Sequence, residues 1–338
     1  MLSSATIERI LSRAPMCTIG VLGDLFLDRY LDLDAALTEP SIETGLDAYQ
    51  VVRVRAYPGA AGTVINNLAA LGVGRIVPIT MIGDDGEGYE LRQALRVLPA
   101  VDASSIVVTH DRRTPTYTKP MLSRRDMAPR ELNRLDIKNR APLPNEVESR
   151  IVGHLAATWP SLDALLVLDQ VSEPECGVVT TNVRERLSEL AGRDSGKVVI
   201  ADSRERIGRF RNVWLKPNER ECLLASGQKD LATAMRDLAA RARRPVICTR
   251  GEEGIALMND AEGEMIDVPA YPVKVPIDVV GAGDSSSAAM ACALAAGVNL
   301  TEAAAFGNLV ASITIQQLGV TGTASPEQIR RRWLEIVS

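Results

Sequence analysis

The sequence is poor in the residues from which metal and disulfide sites are usually built. It contains two histidines, His110 and His154, and five cysteines with no close pair among them. Zinc sites made of cysteine and histidine need such residues at short spacings, so no such site is expected. Most cysteines lie in apolar runs and are predicted to be small core residues; they are Cys17, Cys176, Cys222, Cys248 and Cys292.

An excess of basic residues and a long apolar run are also missing. The net charge of −5 argues against a nucleic-acid surface. The longest apolar stretch, after Gly283, is too short and too rich in alanine to span a bilayer. No Gly-x-x-x-x-Gly-Lys-Ser/Thr motif occurs, which disfavours a P-loop enzyme. We expect a cytoplasmic protein with no nucleic-acid and no membrane partner.

Short apolar strands alternate with helical segments along most of the 338 residues. This alternation predicts an α/β fold with a mainly parallel central sheet and helices on both faces. Amphipathic strands near 48–55, 114–122 and 130–137 interrupt it and have no helical crossovers. We therefore predict one domain, residues 1–338, with inserts at approximately 25–58 and 110–137. The predicted core strands are 17–24, 75–82, 164–168, 198–201, 213–215 and 246–249.

A glycine turn before a small-residue helix is the strongest functional signal. It reads Asp278-Val279-Val280-Gly281-Ala282-Gly283-Asp284, and the helix is predicted to start near Gly283. A helix start presents free N–H groups and a partial positive charge, which together bind phosphate. Asp284 in the first turn would repel a stored phosphate, but it suits a base that deprotonates an attacking hydroxyl. A structural turn before a core helix is the alternative interpretation.

This segment resembles the second signature of the ribokinase-type (PfkB) carbohydrate kinases, Asp-Thr-x-Gly-Ala-Gly-Asp, with Val279 in place of threonine. The resemblance implies a ribokinase-like fold with a small β lid over the sugar site and a homodimer formed through that lid. It implies Asp284 as catalytic base, with an anion hole at the amides of Gly281, Ala282 and Gly283. ATP and Mg²⁺ are the implied cofactors, with a monovalent cation possible near Asp278.

Three further segments match the nucleotide side of the same family. Asn218 and Glu221 have the Asn-x-x-Glu spacing used near Mg²⁺, which they would hold through water; the same spacing is typical of a helix capping box. Thr249, Gly251 and Gly254 resemble the Thr-x-Gly-x-x-Gly turn beside the phosphates, although a hairpin turn would look similar. Asn308, in a helix predicted over 301–318, is assigned to the nucleotide or, alternatively, to helix packing.

The acceptor side matches the family less well. Asp24 ends the first predicted strand, where a carboxylate can accept two vicinal sugar hydroxyls, and Asp169 is a weaker candidate of the same kind. Gly59 and Ala60 fall in the first signature, which departs from the family because Gly62 or Thr63 replaces the sugar-contacting asparagine. Within the family, the pattern around residues 23–30 is closest to the kinase domain of bacterial heptose-phosphate kinases.

Together these motifs predict ATP-dependent phosphorylation of a sugar or sugar-phosphate hydroxyl. The altered first signature leaves open a non-catalytic sugar or nucleotide sensor on the same fold. A dinucleotide-dependent oxidoreductase is a weaker alternative, because no Gly-x-Gly-x-x-Gly follows the first predicted strand.

Overall fold

The structure is a computed structural model that describes residues 2–125 and 127–338. Its strands are β1 (Thr18–Gly23), β2 (Leu25–Pro40), β3 (Asp47–Ala60), β4 (Arg75–Gly83), β5 (Ile106–Thr109), β6 (Thr116–Ser123), β7 (Arg130–Glu131), β8 (Leu135–Ile137), β9 (Ala164–Asp169), β10 (Val198–Ser203), β11 (Trp214–Leu215), β12 (Val246–Thr249), β13 (Ile255–Met258) and β14 (Ile266–Val268). Its helices are α1 (Ser4–Arg13), α2 (Ala61–Ala70), α3 (Gly86–Arg96), α4 (Asn145–Thr158), α5 (Thr181–Arg193), α6 (Glu219–Ser226), α7 (Leu231–Ala242), α8 (Ala282–Ala295), α9 (Leu300–Thr314) and α10 (Pro326–Val337).

The main sheet has nine strands in the order β14-β13-β12-β11-β10-β9-β1-β4-β5. All neighbours from β12 to β5 pair in parallel, and β13 and β14 add an antiparallel edge. The chain moves from β1 to β4 on one side and later to β9 on the other. Such a reversal leaves a crevice at the carboxyl ends of the two central strands, where α/β proteins bind ligands.

Residues of the central strands alternate between two hydrophobic cores. In β9, Leu166 and Leu168 pack into the core beneath α1, α2, α8 and α9, whereas Leu165 and Val167 pack into the core beneath α4, α5 and α7. Successive side chains of a strand point to opposite faces, so an uninterrupted apolar run is needed when helices cover both faces. The predicted two-sided α/β architecture follows from this pattern.

A second sheet of five strands, in the order β3-β2-β6-β7 with β8 also paired to β6, lies outside the main sheet. The segments predicted at 48–55 and 114–122 are β3 and β6 of this sheet. The single strand expected over 130–137 is wrong, because two short strands, β7 and β8, occupy it. The sequence analysis also missed β2, which pairs with β3 antiparallel and with β6 in parallel.

Short connections join the carboxyl end of the main sheet to the second sheet. Residue Asp24 alone separates β1 from β2, and β3 runs directly into α2. The predicted helix over 301–318 is shorter than expected, since α9 ends at Thr314. No helix in the described part of the chain is long and apolar enough to cross a membrane.

Candidate active site

The glycine turn at residues 278–284 forms the start of α8. Gly281 has φ 80° and ψ 1°, a left-handed conformation that favours glycine, and a Cβ there would lie 2.5 Å from Thr321 Cγ2. Nothing lies within 4 Å of the place where a Gly283 side chain would stand, so this side of the helix start is open. Asp284 lies in the first turn of α8, as predicted from the sequence. The open helix start and this carboxylate are therefore adjacent.

Asp278 holds this turn in place. Its Oδ1 accepts a hydrogen bond from Val280 N at 3.0 Å, and its Oδ2 accepts one from Gly319 N at 3.1 Å. Its own amide donates to Ile315 O at 2.7 Å. These bonds tie the turn to the segment after α9, so Asp278 supports the geometry of the helix start.

The electrostatic surroundings of Asp284 suit a base that works near neutral pH. Burial and the negative charge of Asp202 raise the pKa of Asp284 to about 7. Lys216 and Arg204 oppose this increase, and Asp28 adds to it. A general base works best when its pKa lies near the operating pH, so this carboxylate has the property that proton abstraction requires.

Asp202 and Lys216 were not predicted from the sequence. Lys216 Nζ lies 2.8 Å from Asp202 Oδ2, and Lys216 is buried. Burial disfavours the charged lysine, but the carboxylates of Asp202, Asp284 and Glu221 raise its pKa overall. Both residues follow predicted strands, 198–201 and 213–215. The carboxyl ends of neighbouring parallel strands meet at one edge, and that rule could have brought them together.

Asn218 and Glu221 form a capping box at the start of α6. Asn218 Oδ1 accepts from Glu221 N at 2.9 Å, and a Glu221 oxygen accepts from Asn218 N at 2.9 Å. Burial raises the pKa of Glu221, and the charge of Asp202 raises it further. The capping interpretation therefore holds, and the same carboxylate lies in the charged group around Asp202 and Lys216.

The turn at Thr249–Gly254 lies beside this helix start, because Asn218 and Thr249 form a parallel β-bridge. The turn connects the antiparallel strands β12 and β13 and is therefore a hairpin turn, and its contact with nucleotide phosphates stays a prediction. Gly251 has φ 57° and Gly254 has φ 93°, and a Cβ at Gly254 would lie 2.2 Å from Val268 O. The backbone thus requires glycine at Gly254 and favours it at Gly251.

A cavity of about 470 Å³ separates this turn from the start of α8. Gly251 lies on one side of it and Ala282 on the other, with Tyr271 and Ile315 in the apolar walls. This volume is within the range of small-molecule sites. Asn308 also lines the cavity, but its amide nitrogen donates to Val268 O at 2.9 Å and to Pro269 O at 3.1 Å. This geometry favours the packing interpretation of Asn308.

A second cavity lies between the main sheet and the second sheet, at the crevice between β1 and β9. Phe26 and Tyr117 contribute from the second sheet, and Gln170 and Ser172 contribute from the loop after β9. Arg204 also lines this cavity, and its charge acts on Asp284. Arg204 therefore connects this cavity with the electrostatic surroundings of Asp284.

The two carboxylates predicted to bind the acceptor are engaged elsewhere. Asp24 reaches the cavity wall, but it is 3% exposed and accepts three backbone N–H groups. Burial raises its pKa to about 6, against the opposing effect of those bonds. Asp169 is 1% exposed and is paired with Arg206. Both carboxylates thus make contacts within the protein, and their binding of sugar hydroxyls stays a prediction.

Asp28 is a carboxylate of the second sheet, and it pairs with Lys119 Nζ at 3.1 Å. It lines a cleft of the second sheet with Asn66 and Pro58, and its charge acts on Asp284. A Cβ at Gly59 would lie 2.3 Å from Asp28 Oδ2, so the glycine is what lets this carboxylate approach the backbone. The sequence analysis quoted Asp28 within its 23–30 match but assigned no role to it.

The first signature has a strained backbone. Ala60 has φ 52° and ψ −116°, a region that glycine tolerates and alanine does not. Thr63 is buried, and its carbonyl accepts from Asn67 Nδ2 at 2.9 Å. Asn67 is therefore part of the core, whereas Asn66 borders the cleft beside Asp28.

The described residues bring no three histidine, cysteine or acidic side chains together as a metal site. Asp202, Glu221 and Asp284 nevertheless form an acidic group that interacts with the buried cation Lys216. Three carboxylates around one buried lysine, beside an open helix start, suit a nucleotide that carries its own divalent cation.

Comparison with solved structures shows a ribokinase-like fold. A ribokinase from Thermotoga maritima matches with a TM-score of 0.66 at 23% identity and covers 94% of this chain and 99% of that one. Phosphofructokinase-2 from Escherichia coli, in complex with fructose-6-phosphate, matches with a TM-score of 0.69 at 18% identity, covering 95% and 99%. A putative ribokinase II from E. coli, in complex with ATP and Mg²⁺, matches with a TM-score of 0.65 at 17% identity, covering 94% and 99%.

Sequence comparison finds similarity to carbohydrate kinases. The model of the pfkB family of carbohydrate kinases matches residues 164–328. The bifunctional protein HldE of Trichlorobacter lovleyi is 31% identical over 330 residues, and that of Pelobacter propionicus is 32% identical over 332. Each match covers 96% of this chain but 64% of the relative, so the chain spans less than two thirds of their length. The family model thus matches the carboxyl-terminal half of this chain, and the predicted resemblance to pfkB carbohydrate kinases and the predicted fold class are confirmed.

Proposed function

We propose that this chain transfers the γ-phosphoryl group of ATP to a hydroxyl of a sugar or sugar phosphate, with Asp284 as the base. The observation that carries the proposal is the position of Asp284. Asp284 lies two residues after Ala282, and Ala282 lines the cavity beside the glycine hairpin. The charge of Asp284 interacts with Arg204, and Arg204 lines the cavity between the sheets. A carboxylate next to residues of both cavities, with a pKa of about 7, suits proton abstraction from an acceptor.

In the proposed reaction, the acceptor hydroxyl gives its proton to the Asp284 carboxylate. Its oxygen forms a bond to the γ-phosphorus as the bond from that phosphorus to the β,γ-bridging oxygen breaks, and ADP leaves. The amides around Gly281, Ala282 and Gly283 donate to the transferring group, where a helix start stabilises negative charge. Lys216 adds a fixed positive charge nearby.

Asn218 and Glu221 are the residues that would hold hydrated Mg²⁺ beside the phosphates. When bound, Mg²⁺ neutralises charge on the phosphate oxygens. The fit rests on two observations. The negative charge of Asp202 raises the pKa of the Glu221 carboxylate. The Asn218 side chain lies at the start of α6, next to the glycine hairpin.

The acceptor cavity favours a substrate that carries an anionic group. Three cations on or near the second sheet, Arg113, Lys119 and Arg134, are each paired with a carboxylate. Lys138 and Arg204 line the cavity, and neither has an ion-pair partner among the described residues. Two such cations at one cavity suit a phosphorylated sugar, with a heptose phosphate as the candidate that the family resemblance suggests.

The test is ADP release with MgATP over a panel of free and phosphorylated heptoses, hexoses and pentoses. We expect turnover to be highest with a phosphorylated acceptor and Asp284→Asn to lower kcat by roughly 10²–10⁴ while ATP binding persists. Near-wild-type turnover in Asp284→Asn would refute the assignment of the base. ATP and sugar binding without ADP release in the wild type would instead indicate a sensor.

Four finer points of the proposal have their own tests. Light scattering tests the homodimer through the second sheet, which we propose acts as a lid, and cell fractionation tests the cytoplasmic location. Replacing K⁺ by a bulky organic cation in the ADP-release assay tests the monovalent cation near Asp278. Deleting residues 25–58 tests whether that insert is needed for acceptor turnover but not for ATP binding.

A further inference from the structure

The loop at residues 170–178, between β9 and α5, forms one wall of the acceptor cavity. It contains no helix or strand. It contributes Gln170, Val171, Ser172, Glu173 and Cys176 to the cavity. Such a loop needs partners for its buried N–H and C=O groups, and here buried charged side chains supply them.

Asp24 holds the beginning and the end of the loop. Its Oδ2 accepts from Gln170 N at 3.0 Å and from Val171 N at 3.3 Å, and its Oδ1 accepts from Val178 N at 2.7 Å. One carboxylate therefore joins positions eight residues apart. A Cβ at Gly177 would lie 2.7 Å from Asp24 Oδ1, so the loop backbone is packed directly against this group.

Arg206 also holds the beginning of the loop, through its carbonyl groups. Its guanidinium forms a bidentate pair with Asp169, at 3.1 and 2.8 Å. The same group donates to the carbonyls of Val171 and of Ser172, the latter at 3.0 Å. The pair is buried on both sides, with Arg206 8% and Asp169 1% exposed, so its geometry is protected from water.

Arg112 connects the loop to the chain that returns from the second sheet. Its guanidinium donates to Cys176 O at 2.6 Å, to Ala141 O at 2.5 Å and to Pro142 O at 3.1 Å. Leu143 N also donates to Glu175 O at 2.7 Å. The Arg112 side chain is buried too. It fixes the loop relative to the segment that contains Lys138, which lines the cavity.

We propose that Asp24, Arg112 and Arg206 are positioning residues that fix the loop 170–178 as the acceptor wall and so determine acceptor recognition. Burying charged groups costs free energy. Their concentration around a single loop is explained if the conformation of that loop matters for function. They act through the loop backbone and do not contact the transferred group. The inference rests on the proposed function, because it takes the cavity between the sheets to be the acceptor site.

Two variants displace the loop by different means. Arg112→Gln removes the guanidinium fork, and Gly177→Ala places a methyl group against Asp24 while keeping every charge. Gly153→Ala is the matched control, because a Cβ at this glycine of α4 meets nothing within 4 Å. For each, we would measure KM for acceptor and for ATP, kcat, and hydrogen exchange of the peptide covering 170–178.

We expect both loop variants to exchange faster in 170–178 and to raise the acceptor KM by roughly tenfold or more, with the ATP KM within about twofold of wild type. Arg112→Lys, which keeps the positive charge and one donor nitrogen, should recover part of the loss. Faster exchange without a change in acceptor KM, or an equal rise in both KM values, would overturn the inference while the proposed function stands. Wild type without turnover on any acceptor would refute the proposed function itself, and the acceptor role with it.

Discussion

The pKa of Asp284 gives the sharpest prediction for the catalytic step. With a pKa of about 7, the ionised fraction rises from about 0.09 at pH 6 to about 0.9 at pH 8, so kcat/KM should rise about tenfold. An aspartate with the ordinary value of 3.8 would be ionised at both pH values, and the same ratio would be close to one. The change in kcat/KM between pH 6 and 8 therefore reports the pKa of the Asp284 carboxylate in its environment.

Asp202→Asn is the perturbation that tests the cause. The Asp202 charge disfavours ionisation of Asp284, and its removal also leaves the positive charge of Lys216 unpaired beside the site. Both effects lower the pKa of Asp284. The acid limb should thus move to lower pH, and the ratio of kcat/KM at pH 8 to that at pH 6 should fall from about ten towards one.

The assay is the initial rate of ADP release from pH 5.5 to 8.5, with saturating MgATP and limiting acceptor at constant ionic strength. Phosphate groups of the substrates also titrate near pH 6, so the variant and the wild type must be compared on the same substrates. Any difference between their profiles then belongs to the protein. A wild-type profile that is flat from pH 6 to 8, or a variant limb shifted to higher pH, would refute the reasoning.

Three further predictions concern the metal, the backbone and assembly. Glu221→Gln should raise the Mg²⁺ concentration for half-maximal rate roughly tenfold, whereas Glu302→Gln, in the matching capping box of α9, should change only the melting temperature. Ala60→Gly should increase the free energy of unfolding in urea by about 1 kcal/mol, because it relieves the strained φ; a decrease would contradict the strain. Val52→Glu on the exposed face of β3 should convert a dimer to a monomer in light scattering, whereas Val97→Glu, also exposed, should not. A monomeric wild type would refute assembly through this face.

Motifs contained in a few consecutive residues could be predicted from the sequence. The helix start at Ala282 and the capping box at Asn218 depend on local backbone chemistry, so the order of the residues is sufficient to predict them. The surroundings of Asp24 and Asp28 were not predictable in this way. Asp24 contacts the loop after β9 and Asp28 contacts Gly59, and both contacts join distant parts of the chain.

The pair of Asp202 and Lys216 shows the same difference. Each is an unremarkable residue after a short strand, and neither belongs to a recognisable motif. Their contact arises because β10 and β11 are parallel neighbours in the sheet. Strand order is a property of the whole fold, so residues that meet only through it were missed even where the strands themselves were predicted correctly.

The junction between the two sheets has a consequence for how the acceptor range of such a kinase can change. The amide of Ala61 donates to Asp24 O at 3.0 Å, so residues 25–60 leave the main body and re-enter it at a single point. A segment whose ends are adjacent can be replaced without rerouting the chain around it. Asp28, Gly59 and most of the second sheet lie in that segment, whereas the glycine turn, α8 and the hairpin at Thr249 lie outside it. Exchange of this one cassette would alter what is phosphorylated while the ATP-binding half stays unchanged.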